Sequence, residues 1–468
     1  MNMRYLLGVD VGTTSLKAVL FDENTNPVKT VVKDYTLNAT DNIVEFPAEQ
    51  YWTLFSEALE EISKDYDVFA LSIDTQCETL IVTDSEGNAL TDAIVWLDNR
   101  AVAEAEAIEK HFGTQKVYEV TGQPEIIATW PAAKLLWLKE NRQDIWPKID
   151  KIFLLEDYLL YKLTGEFVTE KTLQSSTIYY DIHKDCWWKE MLDFIGVSEN
   201  QLPRLLGSGE LVGEYNGIKI ATSAMDQVAG AIGAGVVKPG IVSEMTGTTM
   251  AVFVPTDKAP EYTPGSKIPC HMNYDGNYAL LIFSATAGMA LKWFKNNLCE
   301  EYSFDDLNKL VEKVDAGSNG LTFLPYLCGS TMPKYNPDAR GIFHGLTLEH
   351  TRGHFVRSIM EAVSSMLKSY LDYLGVDCDE IRSMGGGAKS DVWLQIKSDM
   401  CNKRIVTLKN DETACLGSAI LAGVAAGLFE NVEEACKKAV IINKSYTPSG
   451  TDYTDCYQRF VDLEDKNV

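Results

Sequence analysis

The chain is short of positive charge. Its 468 residues carry 42 lysines and arginines against 67 aspartates and glutamates, a formal net charge of −25. So acidic a surface repels phosphate backbones, and no nucleic-acid partner is expected. An anionic small molecule stays open, because a metal ion or helix N-termini reverse the field locally. Nothing approaches the ~18–20 consecutive apolar residues of a membrane span, so no membrane partner is expected. None of the ten cysteines forms a C-x-x-C pair. Neither a zinc ribbon nor a disulfide framework is therefore indicated, and reduced, mostly buried thiols are expected. Low-complexity segments and long linkers are also missing. The N-terminus reaches a carboxylate at Asp10, too early for the apolar core of a signal peptide. The expected location is the cytoplasm.

What is present reads as a large globular chain. Hydrophobic residues make up 46%, and a length prior of ~150 residues per domain suggests two or three domains. Strand-like apolar runs at 5–9, 17–21, 68–73, 152–155, 241–245, 279–283 and 381–384 alternate with helical periodicity at 48–63, 101–109, 131–140, 354–374 and 416–426. That alternation predicts an α/β architecture.

An internal repeat organises the chain. Residues 7–22 and 241–257 each read as a strand ending in an acid, a Gly-Thr-Thr turn and a second apolar strand, with the triplets beginning at Gly12 and Gly247. Two similar half-chain domains follow, 1–237 and 238–468, joined through Val236-Val237-Lys238-Pro239-Gly240. Glycine lets a hairpin backbone approach a ligand, and its N–H groups can cradle phosphate oxygens. Threonine hydroxyls at Thr13 and Thr14 add donors, and Asp10 could hold a divalent cation through water. Taken singly, such a turn is equally well a plain β-hairpin. Its repetition at Gly247-Thr248-Thr249 favours a grip on polyphosphate from both domains.

Three further segments carry chemistry. Gly385-Gly386-Gly387 follows an apolar strand and precedes a helical run from Asp391, where a flat group such as adenine–ribose could lie against the backbone. It is neither G-x-G-x-x-G nor a Walker loop. Asp226 opens a stretch of small residues; it reads as an N-cap or as a general base. His350 and His354 stand at i, i+4, but Gly353 interrupts the pair and a metal site is not expected from the spacing alone.

Together these residues resemble the FGGY family of carbohydrate kinases, in the actin/Hsp70/hexokinase-like ATPase superfamily. The first family signature resembles Trp130-Pro131-Ala132-Ala133-Lys134-Leu135-Leu136-Trp137-Leu138-Lys139-Glu140-Asn141, with Thr129 departing from the usual residue before it. The second is matched from Gly341-Ile342-Phe343-His344-Gly345-Leu346 through His354-Phe355 to Ser358-Ile359-Met360-Glu361. Glu78-Thr79, the run from Ala93 to Arg100, Thr164-Gly165-Glu166-Phe167 and Phe323-Leu324-Pro325-Tyr326 are also family-like.

The resemblance implies two actin-like (ribonuclease H-like) ATPase domains flanking a catalytic cleft, and ATP-dependent phosphorylation of a sugar or polyol hydroxyl. It implies Asp226 as catalytic base and Asp10 as the acid that organises Mg²⁺. Gly12, Thr13, Thr14, Lys17, Gly247 and Thr248 match or adjoin phosphate positions, and Gly288, Gly386, Gly387 and Asp391 lie around the nucleotide. For the acceptor, the matching or neighbouring positions are Cys77, Glu78, Trp96, Asp98 and Gln227, mainly in the first domain.

The sugar is less legible. Xylulose kinases resemble the chain at Thr164–Phe167 and Phe323–Leu327, yet carry Gln-Met-His-Gly where it has Gln76-Cys77-Glu78-Thr79. Glycerol kinases resemble it at Glu78-Thr79 and Asp226-Gln227, yet Cys77 replaces their arginine, a multi-donor fork cysteine cannot imitate. The expected acceptor is a ketopentose such as xylulose; glycerol, erythritol or another ketose is the alternative. A non-catalytic nucleotide switch on the same fold is the alternative of a different class. The family resemblance admits a homodimer, though no exposed heptad in the sequence declares an interface.

Overall fold

A computed structural model describes residues 4–468. Contacts divide the chain into two compact units. The first comprises Met1–Val237, Asp257–Ala279 and Glu412–Val440; the second comprises Lys238–Thr256, Leu280–Asp411 and Ile441–Val468. The partition at 237/238 is one boundary between them. Two later segments nevertheless return to the first unit, so its contacts are not those of a contiguous half. The reason is apolar: the helix Thr413–Ala425 is buried along nearly its whole length against elements of the first unit.

The first unit is built on a six-stranded sheet in the order Leu211–Tyr215, Ile218–Ala221, Val68–Thr75, Tyr5–Val11, Ser15–Phe21, Pro27–Asp34. Tyr5–Val11 pairs parallel with Val68–Thr75 and antiparallel with Ser15–Phe21. Leu6, Leu7, Val9 and Val11 are all buried, the near-continuous apolar run of a strand covered on both faces. The helix Ala48–Ser63 turns Tyr51, Phe55, Leu59 and Ile62 inward at helical spacing. Each such side chain contributes about 1.5–3 kcal/mol on burial.

A smaller five-stranded sheet runs in the order Asn38–Thr40, Ile43–Phe46, Ala93–Ile94, Leu80–Thr83, Lys151–Leu154. Leu80 lies opposite Ile94 in the register. The residues just before one strand and just after its antiparallel neighbour, including Glu78 and Trp96, therefore emerge at one edge.

Glycine sets the closest packing in this unit. A Cβ on Gly8 would meet the Cys415 carbonyl oxygen at 1.8 Å, one on Gly233 the Thr413 oxygen at 1.8 Å, and one on Gly417 the Ala229 oxygen at 1.9 Å. The helices Asp226–Gly233 and Thr413–Ala425 thus touch backbone to backbone, which no residue with a side chain permits.

The second unit repeats the topology. Its sheet contains, in order, Tyr278–Ser284, Met250–Thr256, Ile241–Thr246, Glu380–Met384, Arg404–Leu408 and Ile442–Tyr446. Ile241–Thr246 pairs antiparallel with Met250–Thr256 and parallel with Glu380–Met384, the same pattern seen at Tyr5–Val11. One expectation fails at residue level. Asp10 stands two residues before Gly12, but Glu244 stands three before Gly247. Side chains alternate along a strand, so the two acids face opposite sides of their sheets and are not equivalent.

All ten cysteines are free and eight are buried. The rings of His350 and His354 accept from the Thr347 and Thr351 backbone N–H groups through Nδ1, which is local capping. Among the described residues no helix is long and apolar enough to cross a membrane.

Candidate active site

Asp10 lies at the end of Tyr5–Val11, beside Asp74 in the parallel register. Burial is the first cause that lifts its carboxyl to about 7; Asp226 and Glu412 push the same way, and Lys17 opposes them. Lys17 itself pairs with Glu412 at 2.6 Å. Asp74 is fully buried, and burial followed by the nearby Asp10 holds its carboxyl well above the usual range. Ser418 Oγ donates to Asp74 Oδ2 at 2.5 Å and lies 2.6 Å from Ser223 Oγ. Asp74 Oδ1 is buried with no hydrogen-bond partner.

That orphaned oxygen lies beside Asp10 in a set of hard carboxyl oxygens whose ionisation burial and mutual repulsion oppose. Such a set fits a divalent cation like Mg²⁺. Among the described residues no group of three or more His, Cys, Asp or Glu side chains could hold a metal alone. Asp10 would therefore contribute one oxygen, with water and ligand oxygens completing the shell.

The turn 12–14 lies directly above. Gly12 N–H donates to the Ser15 carbonyl at 3.0 Å. Tyr35 takes two of the three carbonyls of the turn: its hydroxyl donates to Gly12 O and its N–H to Thr14 O. Thr14 is exposed, and the Thr13 hydroxyl accepts from Trp96 Nε1 at 3.0 Å.

Asp226 is the first residue of its helix; Met225 holds the cap position, so the N-cap reading of Asp226 is corrected. Its Oδ1 accepts from the Gln227 N–H at 2.7 Å and from the Cys77 thiol at 3.7 Å. Burial raises its carboxyl, while the Gln227 and Cys77 donors pull it down. Glu78, one residue beyond Cys77, adopts a left-handed backbone with φ of 56°. Its carboxyl is lifted to about 7, chiefly by burial. The structure thus brings Asp10, Cys77, Glu78, Trp96, Asp226 and Gln227 together within the first unit.

Asp98 is not among them. It is fully buried, pairs with Arg100 at 2.8 Å, and accepts from the Val44 N–H at 2.7 Å and the Arg100 N–H at 3.0 Å. Both of its oxygens are occupied, so its expected place in the sugar pocket is corrected to a structural one. Sequence reading had also passed over Lys134, inside the first signature. Its side chain is buried, and Nζ donates to the carbonyls of Glu78 and Val95, each at 3.0 Å.

In the second unit the turn 247–249 closes through Gly247 N–H to Thr249 O at 2.9 Å. Thr248 O accepts from the Ala287 and Met289 N–H groups, which docks the start of helix Gly288–Leu298 on the turn. A Cβ at Gly288 would fall 2.3 Å from Gly247 O, and one at Gly387 would fall 2.8 Å from the Thr246 side chain. Gly247, Thr248, Gly288, Gly386 and Gly387 therefore surround one hairpin. Asp391 is engaged elsewhere: Lys444 binds it at 2.7 and 2.9 Å and the Tyr446 hydroxyl at 2.7 Å, which pulls its carboxyl below the usual range. These bonds tie its helix to the sheet edge. Beneath the hairpin Lys397 and Glu244 form a fully buried ion pair, with Lys397 also donating to Thr246 Oγ1 at 2.9 Å. Sequence marks Glu244 as the acid near the end of its strand but not its pairing with Lys397, because the partners lie far apart in the chain.

The two-domain α/β fold with its two Gly-Thr-Thr hairpins is of the actin-like ATPase type, which phosphotransferases share with nucleotide switches. Within it the chain belongs to the FGGY family of carbohydrate kinases: the N-terminal domain model matches residues 5–235 and the C-terminal domain model residues 243–426. It is a carbohydrate kinase, which sets aside the non-catalytic switch. The chain is 28% identical to the xylulose kinase of Bacillus subtilis, covering all of this chain and 97% of that protein. It is 29% identical to the gluconokinase of the same organism, covering 98% and 95%. A solved structure of ligand-bound xylulose kinase from Lactobacillus acidophilus superposes with a TM-score of 0.91 at 26% identity, covering 99% and 98%.

Proposed function

We propose that the protein transfers the γ-phosphoryl of ATP to a hydroxyl of a ketopentose such as xylulose, with Asp226 as general base. The observation that carries this reading is the Asp226 carboxylate, fixed by Gln227 N–H and Cys77 among three other acids. Burial makes it more basic than a free carboxylate, which suits it to take the proton of an attacking alcohol. General-base help of this kind contributes typically ~10²–10⁴-fold. Thr13 and Thr14 are placed to hold phosphate oxygens, as is Thr248 of the second unit, while Gly12 and Gly247 use their N–H groups to close the two turns. Gly288, Gly386 and Gly387 leave room for the nucleoside. Mg²⁺, held at Asp10 with the nucleotide, would offset charge on the transferring phosphoryl.

A neutral acceptor is favoured over an aldonate because Cys77, Glu78, Trp96 and Gln227 include no cation. The nearest one, Lys134, spends its donors on backbone carbonyls, and Arg100 is committed to Asp98 and Glu45. Glu78 and Gln227 favour a second reading, a short polyol such as glycerol. The enzyme is proposed to work in the cytoplasm as a homodimer.

ADP release with Mg-ATP across D-xylulose, other pentuloses, gluconate, glycerol and erythritol tests both readings. D-xylulose is expected to give the highest kcat/KM. Preference for gluconate would overturn the neutral-acceptor argument, and preference for glycerol or erythritol would transfer the assignment to a polyol kinase.

A further inference from the structure

Lys134 belongs to the helix Pro131–Asn141 and is 0% exposed. An ammonium taken so far from water is costly unless its donors are met. Here two of them meet main-chain carbonyls, Glu78 O and Val95 O, each at 3.0 Å. Those carbonyls belong to the ends of adjacent strands in the five-stranded sheet, just outside Leu80–Thr83 and Ala93–Ile94. Each precedes or carries a side chain of the candidate acceptor site. Glu78 holds its carboxyl there from a left-handed backbone, a conformation that a non-glycine residue rarely adopts. Val95 leads into Trp96, whose indole N–H reaches the Thr13 hydroxyl at 3.0 Å. The charged groups facing Lys134 are Glu78, Asp98 and Arg100. Asp98 and Arg100 are paired with each other. Glu78 is thus the one carboxyl of this set without an arginine partner.

We propose that Lys134 is a positioning residue for the acceptor sugar: its buried amino group clamps the Glu78 and Val95 carbonyls and so fixes the Glu78 carboxyl and the Trp96 indole. It touches no reacting atom and acts through those two residues. The inference rests on the reading that Glu78 and Trp96 line the acceptor site. Removing the clamp frees Glu78 to relax its φ, which misplaces its carboxyl; the turn 12–14 loses at most the Trp96 contact and keeps its two bonds from Tyr35.

The test is a double-mutant cycle between Lys134→Gln and Glu78→Gln, read as separate KM values for D-xylulose and ATP, with melting curves to establish folding. Lys134→Gln is expected to raise the D-xylulose KM at least tenfold, with the ATP KM within twofold. The double variant should be no worse than Glu78→Gln alone, because both lesions remove one device. Additive losses, or equal shifts in both KM values, would mean a general packing role and overturn the proposal. An unchanged D-xylulose KM in Glu78→Gln would overturn both the proposal and the acceptor-site reading beneath it, a distinct outcome. Should Lys134→Gln not fold, Lys134→Arg keeps the charge and the donors. A severalfold rise in D-xylulose KM at constant ATP KM supports the clamp there, and an unchanged KM in a folded Lys134→Arg overturns it.

Discussion

The two Gly-Thr-Thr hairpins share a backbone and differ in what lies beneath them. Under the first, Asp10 and Asp74 sit side by side with Asp226 nearby, and the lysine at hand, Lys17, is bound to Glu412. Under the second, Glu244 is met by Lys397 and by hydroxyls of Thr246 and Ser383, so that its charge is fully answered. One hairpin stands on acids that burial and mutual repulsion hold toward their protonated forms, and calls for a proton or a cation. Its counterpart stands on a closed pair and offers only neutral donors. Duplicated local structure therefore does not imply duplicated chemistry; a single-residue shift in where the acid falls decides which face receives it.

The sharpest way to break the contrast is chemical. Asp226→Asn is expected to cut kcat by ~10²–10⁴-fold while ADP binding by calorimetry stays unchanged. Near-normal turnover would remove the base assignment and, with it, the functional meaning of the acid cluster.

Stability provides the next test, with opposite signs on the two sides. Lys397→Met strips Glu244 of its partner and should cost roughly 3–5 kcal/mol in denaturant unfolding of the second unit. Asp74→Asn in the first unit should instead stabilise at pH 8, since it removes a carboxyl whose ionisation burial disfavours, and should be nearly neutral at pH 4. If both variants destabilised alike, the two floors would not differ as described.

A milder sharpening comes from pH alone. The folded Asp10 carboxyl titrates near 7, against an ordinary value of 3.8. A raised carboxyl contributes stability that is fully present below the unfolded value and lost as pH rises through the folded one. The ligand-free melting temperature should therefore fall between pH 5 and 8, and Asp10→Asn should flatten that slope. Lastly, Gly288→Ala places a Cβ against Gly247 O and should weaken ADP binding by about tenfold, with little effect on sugar KM.

Local signals were legible and pairings were not. The helix 48–63 could be bounded to the residue because its apolar spacing and its flanks agree. The hairpins announced themselves through Gly-Thr-Thr, and Asp226 through the small residues after it. Asp98 misled because an acid in a family-like run carries no mark of its partner; only the fold shows Arg100 closing on it. Lys134 and Lys397 were invisible for the same reason, since each is defined by carbonyls or a carboxylate from distant chain segments. Asp391 looked available from sequence, whereas Lys444 and Tyr446 hold it.

The return of residues 412–440 to the first unit has a consequence for synthesis. The helix that begins with Asp226 rests, backbone on backbone, on a helix the ribosome makes nearly two hundred residues later. The nascent first unit must wait, with Gly8 and Gly233 uncovered, until that late segment emerges. Assembly of the acid cluster is thereby tied to translation through residue 440, and a product interrupted before it carries the base without the floor that supports its helix.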